Sequence, residues 1–75
     1  MPTHMSDTLT RLPPAPTLVY KILEFQGPLT YSELLDEAKL PESTLKDALQ
    51  TLRDHDLVVR QYHSDDARSH LYATN

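Results

Sequence analysis

Seventy-five residues with a formal net charge of −4, one glycine and no cysteine describe one small domain, near the lower size at which an apolar core is stable without staples. The missing thiols exclude a disulfide framework and thiolate metal sites, and the acidic balance works against non-specific nucleic-acid binding. No apolar run reaches the length of a membrane span or a signal-peptide core, so a soluble, cytoplasmic chain is expected.

Residues 1–16 are polar and end in RLPPAP, whose prolines predict an extended, partly disordered arm rather than a helix. Within the arm, His4-Met5 resembles a cloning junction, which puts the expected native start at Met5. Residues 17–75 are expected to form the folded domain. Its first helix is predicted over about residues 16–26, where Leu18, Ile22 and Phe25 recur at helical spacing and Val19 and Leu23 widen the stripe. Pro16 just inside the start, with Gly27 and Pro28 just past the end, punctuates it.

LTYSEL announces a second helix, about residues 31–39. Thr30 and Glu33 have capping-box spacing, and Leu29 and Leu34 sit at the two positions of a hydrophobic staple. Leu34, Leu35 and Ala38 supply its buried face. After a tight KLP connection, Leu45, Ala48, Leu49 and Leu52 form an i, i+3, i+4, i+7 stripe, predicting a third helix over about residues 41–54. That stripe is expected to face Leu18, Ile22 and Phe25. Asp56 is expected in the left-handed conformation that usually falls to glycine after a helix.

The period then changes. LVVRQYH and SHLYATN are rich in branched and aromatic residues, and SDDAR between them has the length of a hairpin loop. A loop centred between Ser64 and Ser69 sets Tyr62 opposite Leu71 and Gln61 opposite Tyr72, with Val58, Tyr62 and Leu71 facing the helices. The four tyrosines, Tyr20, Tyr31, Tyr62 and Tyr72, read as core or core edge.

The expected fold is therefore mainly α with a small β-hairpin. Two helices joined by a very short turn make a helix-turn-helix, and the hairpin makes it winged. A third, very short strand at Pro28-Leu29 would complete the sheet. The stretch GPLTYSELLDEAKLPESTLKDALQTLRDHDLVVR resembles the helix-turn-helix core of MarR-like and TrmB-like transcription regulators, and DDARSHLY resembles their wing. The chain departs from that pattern with Asp56 in place of a glycine, and with Glu42 and Asp47 on the third helix.

The resemblance implies sequence-specific binding of double-stranded DNA, with the third helix in the major groove and the wing on the adjacent backbone or minor groove. It carries the DNA-binding role onto Ser43, Thr44, Lys46, Gln50 and Arg53 of that helix, onto Arg60 of the strand, and onto Arg68 at the wing tip. Asp66 would orient Arg68. Hydroxyls and helix N-terminal amides suit phosphate, and Gln50 offers a donor and an acceptor to a base edge. The plainer readings are a solvated helix face, with Glu42 and Lys46 as an i, i+4 pair, and a surface ion pair between Arg68 and its neighbouring acids.

A homodimer is expected, formed by the arm around Leu9 and Leu12 with the exposed side of the first helix near Tyr20. The alternative is a protein-interaction winged helix that does not bind DNA; the acidic charge favours it. His63, His70 and Asp65 would be neighbours in the assumed register, but their spacing matches no firm metal motif. Two such histidines could instead titrate together and make the wing more cationic below neutral pH. No metal or other cofactor is expected. No catalytic constellation is visible, so no enzyme is expected.

Overall fold

In the computed structural model the described residues are 12–61 and 70–75. They form, in chain order, α1 (Pro14–Gln26), β1 (Leu29–Thr30), α2 (Tyr31–Ala38), α3 (Glu42–Asp54), β2 (Val58–Gln61) and β3 (Leu71–Thr74). The strands make one antiparallel sheet in the order β1-β3-β2. This is the winged helix-turn-helix expected from the sequence, with a third, very short strand ahead of α2 at Leu29–Thr30, one residue later than expected.

Helix α1 corrects the reading of RLPPAP. It begins at Pro14 rather than near residue 16, with Pro14 and Pro16 inside its first turn. The first backbone N–H groups of a helix have no intrahelical partner, so proline loses nothing there and its fixed φ suits the turn. The hydroxyl of Thr17 donates to the Pro13 carbonyl at 3.1 Å, alongside the backbone N–H of Thr17 at 3.4 Å. The last three residues of the expected arm thus belong to α1, and residues 1–11 lie outside the described residues.

The buried face of α1 overlaps the expected one only in part: Val19 and Leu23 are in it, Leu18 and Phe25 are not. Pro16, Val19, Tyr20 and Leu23 are buried, whereas Leu18 is 42% and Phe25 92% exposed, with Ile22 half-buried. Both stripes have helical spacing, so periodicity did not choose between them. The buried one includes the aromatic ring and the two branched residues that meet α3. Tyr20, at 3% exposure, is core, as its reading from the sequence has it, and Leu12 packs against the same core. Leu9 is outside the described residues.

Helix α2 starts with both halves of the capping box. The Glu33 N–H donates to Thr30 Oγ1 at 3.2 Å, and the Thr30 N–H donates to Glu33 Oε1 at 2.8 Å. Leu34 is fully buried and Leu29 packs against the core, as a staple requires. The helix ends one residue before the expected limit, with Lys39 in the left-handed conformation at φ 54°. Pro41 then serves as the N-cap of α3, accepting from the Leu45 N–H at 3.0 Å.

Leu45, Ala48, Leu49 and Leu52 are all buried, as expected. Past α3 the chain makes a Schellman turn: the Leu57 N–H donates to the Leu52 carbonyl at 2.9 Å and the Asp56 N–H to the Arg53 carbonyl at 3.0 Å. Asp56 takes φ 58°, the left-handed position anticipated for it. The side-chain amide of Asn75 donates to the Asp56 carbonyl at 2.9 Å and locks the turn to the end of β3.

The hairpin register differs from the expected one by one residue. Gln61 pairs with Leu71, and Arg60, rather than Gln61, faces Tyr72. A one-residue slip exchanges the two faces of a strand. Val58 and Tyr72 therefore take the core positions, and Leu71 is only half-buried. Loop symmetry cannot set this register. The burial of Tyr72 and the pairing of β3 with β1 on its other side (Leu29 with Tyr72, Thr30 with Leu71) do. Tyr62 lies outside the described residues. Among the described residues no helix is long and apolar enough to cross a membrane.

Candidate nucleic-acid interface

The leucine stripe of α3 turns its opposite face outward. Ser43, Lys46 and Gln50 are exposed there and Arg53 is half-buried, at spacings that keep all four on one side of the helix. Between this face and the sheet lies a concavity of about 440 Å³. Its α3 wall is Lys46, Gln50 and Arg53 over Leu49; its sheet wall is Arg60 and Tyr72. Tyr31 and Glu42 meet at one end, where the Tyr31 hydroxyl makes a long 3.5 Å contact with the Glu42 carbonyl.

Local features of the chain place each element. The Schellman turn after α3 directs β2 back along the helix, so Arg60 comes up beside Lys46 and Arg53. The observed register puts Arg60 directly opposite Tyr72 on the helix-facing side of the sheet, and the Arg60 Nε is screened from solvent. Tyr31 is anchored at the start of α2, where its N–H donates to the His70 carbonyl at 3.2 Å. His70 also lines the concavity.

The site is electropositive on an acidic chain. Among the described residues, Lys46, Arg53 and Arg60 line it against one carboxylate, that of Glu42. Burial, then the Glu42 carboxylate, then Tyr72, push the Tyr31 phenol above its ordinary range. Tyr31 is therefore a neutral hydrogen-bonding group at any physiological pH. Such a surface can hold an anionic backbone against fixed cations while Gln50 stays accessible to a polar edge.

The sequence-derived candidates divide into three groups. Lys46, Gln50, Arg53 and Arg60 are brought together in the concavity. Ser43 and Thr44 are in the first turn of α3, exposed and half-buried respectively, but do not line it. Arg68 and Asp66 lie outside the described residues, as do His63 and Asp65. Among the described residues no group of three or more metal-ligating side chains gathers.

Sequence reasoning missed Asp54, whose Oδ1 accepts from Gln50 Nε2 at 2.8 Å. The i, i+4 spacing of a glutamine and an aspartate on one helix was the available signal. It also missed Tyr31 and Tyr72 as lining groups, because their place depends on the strand register. Asp47 is exposed on α3 and is not part of the lining.

No protein-family model and no curated protein sequence matches the chain. Solved structures do match. A MarR-family transcriptional regulator from Silicibacter pomeroyi is 30% identical with a TM-score of 0.73, over 92% of this chain and 45% of that one. BpsR from Bordetella bronchiseptica, whose DNA binding is regulated by 6-hydroxynicotinic acid, is 18% identical with a TM-score of 0.79, over 88% of this chain and 50% of that one. A MarR-like transcriptional regulator from Thermotoga maritima is 16% identical with a TM-score of 0.79, over 100% of this chain and 52% of that one. The chain spans about half the length of the solved structures it matches. The MarR-like part of the resemblance rests on these structures; they do not carry the TrmB-like part.

Proposed function

We propose, with the MarR-like winged helix-turn-helix as the premise, that this chain is a small transcription regulator that binds double-stranded DNA. Helix α3 enters the major groove, and the wing follows the adjacent backbone or minor groove. One observation carries the reading: on a chain of net charge −4, Lys46, Arg53 and Arg60 converge with Gln50 in one concavity. Randomly placed surface charge on an acidic protein gives no reason for that convergence. The likeness to BpsR, a DNA-binding protein, supports the same reading.

In this mechanism Lys46, Arg53 and Arg60 neutralise phosphates and set the register of α3 on the duplex. Ser43 and Thr44 add hydroxyl and helix N-terminal N–H donors to the same backbone. Gln50 faces a base edge. Arg68, steadied by Asp66, probes the minor groove from the wing. Regulators of this kind read paired half-sites, so the working form is a homodimer.

The test is binding to random-sequence duplex DNA across a salt series. Each neutralised phosphate steepens the fall of affinity with salt, so the expected result is binding at low salt with a slope of several charges. A second reading, a winged helix that docks a protein partner, draws on the same net charge of −4. Absence of any salt-dependent DNA binding by the folded chain overturns the DNA reading in its favour.

A further inference from the structure

We infer that the outward face of α1 is a self-association surface, on which a second copy of this chain packs its own α1 antiparallel. This deepens the homodimer reading and rests on it, but its test needs no DNA.

The face begins with an anomaly. Phe25, the only phenylalanine in the chain, is 92% exposed, and Leu18 is 42% exposed two turns before it. At about 100° per residue the two fall on one line along the helix, directly away from Val19, Tyr20 and Leu23 in the core. Ile22, half-buried, borders that line on one side. The other side carries Lys21 and Glu24, both exposed. The result is an apolar ridge with one positive and one negative charge along a single flank.

That flank selects the partner. A net charge of −4 makes copies repel one another over most of their surface. The α1 face carries one charge of each sign and is neutral, so copies can approach there. When two identical helices pack antiparallel about a two-fold axis, each flank meets its own equivalent. Lys21 of one copy then lies by Glu24 of the other, and the pair forms twice. The same alignment sets Phe25 of each copy beside Leu18 of its partner. A parallel pairing would set the charged flank against Ile22 and gain neither ion pair. A partner of strongly one-signed charge would leave either Lys21 or Glu24 opposed by its like.

The contact is one helix wide, smaller than the roughly 800 Å² per partner of a standard stable interface. The dimer is accordingly weak and concentration-dependent in solution, and strengthened where two copies are held on one ligand.

Sedimentation equilibrium of the 75-residue chain, in a concentration series reaching about 1 mM, tests this directly. Wild type is expected to move from monomer to dimer. Phe25→Ser should weaken the dimer about tenfold or more while leaving the thermal melt of the dilute monomer unchanged, because the ring touches little of its own core. Lys21→Glu and Glu24→Lys should each weaken it about threefold, and the double variant should restore it, since the exchanged charges again meet their opposites. A wild type that stays monomeric throughout, or a dimer indifferent to Phe25→Ser, overturns the interface. A double variant no better than the single ones overturns the antiparallel pairing. DNA binding that fails while the dimer behaves as described removes the DNA reading and leaves this surface standing.

Discussion

Gln50 Nε2 donates to Asp54 Oδ1 at 2.8 Å, one turn further along α3. The bond uses one of the two amide hydrogens and fixes the side chain along the helix. The second hydrogen and the carbonyl oxygen remain a donor–acceptor pair, the pattern that adenine presents in reverse in the major groove. Gln50→Ala should therefore reduce discrimination between the preferred duplex and random DNA by about 1–3 kcal/mol, with little change for random DNA. Asp54→Ala should also reduce discrimination, by freeing the amide, while raising non-specific affinity because a carboxylate has gone. Anisotropy titrations against both duplexes separate the two effects. A uniform loss across all sequences would make Gln50 a backbone contact.

Arg68→Ala should weaken binding to every duplex and make the salt dependence shallower by about one charge. Asp66→Ala distinguishes orientation from simple neutralisation. If Asp66 orients the arginine, removing it weakens binding even though a negative charge is deleted. Stronger binding by Asp66→Ala would leave the aspartate as nothing more than a neutralising neighbour.

Stability variants on α1 and α3 test which stripes are core. Leu23→Ala and Leu49→Ala remove side chains with 1% and 3% exposure, and each should lower stability by about 2–5 kcal/mol. Phe25→Ala, in dilute solution, should stay within about 0.5 kcal/mol of wild type. Urea denaturation of the three variants gives the comparison. A large loss at Phe25 with none at Leu23 would turn α1 around.

Among the described residues, two other than glycine hold left-handed turns, Lys39 at φ 54° and Asp56 at φ 58°. Glycine adopts this conformation without strain, so Lys39→Gly and Asp56→Gly should each stabilise the fold, by up to about 1 kcal/mol. The gain should be larger at Lys39, because the short polar side chain of aspartate tolerates the conformation better. Differential scanning calorimetry reads the order directly. A lower Tm for Lys39→Gly would show that the lysine side chain contributes more than its backbone strain removes.

Burial raises the phenol pKa of both Tyr20 and Tyr31, reinforced by Glu24 at the first and Glu42 at the second. In the unfolded chain a tyrosine ionises at about pH 10. A raised folded value means that the stability it contributes is complete below that pH and is lost as the pH climbs through the folded values. Melting temperature should therefore drop steeply above about pH 10, and Tyr31→Phe should soften the drop. An identical alkaline profile for wild type and Tyr31→Phe would exclude Tyr31 from the effect.

Local chemistry was legible in the sequence. Thr30 and Glu33 specify the start of α2 because a capping box is satisfied within four residues. The stripe of Leu45, Ala48, Leu49 and Leu52 specifies the buried face of α3, since no rival stripe exists on that helix. Asp56 was readable as a left-handed turn residue from its place between a helix and a strand. From these followed the helix-turn-helix order and the outward face that carries Lys46, Gln50 and Arg53.

Tertiary contact decided the rest, wherever two local solutions were equally good. Helix α1 holds two apolar stripes, and only packing against α3 selects Val19, Tyr20 and Leu23 over Leu18 and Phe25. Pro14 and Pro16 are compatible with either an arm or a first helical turn, because the same missing N–H groups suit both. The hairpin register depends on β1, far away in sequence, which grips β3 through Leu29 and Thr30. That single constraint turns Tyr72 into the core and sets Arg60 opposite it, and so gives the concavity its third cation. Short-range rules have no term for such a choice: each alternative satisfies its own backbone, and only burial against a distant element separates them in free energy.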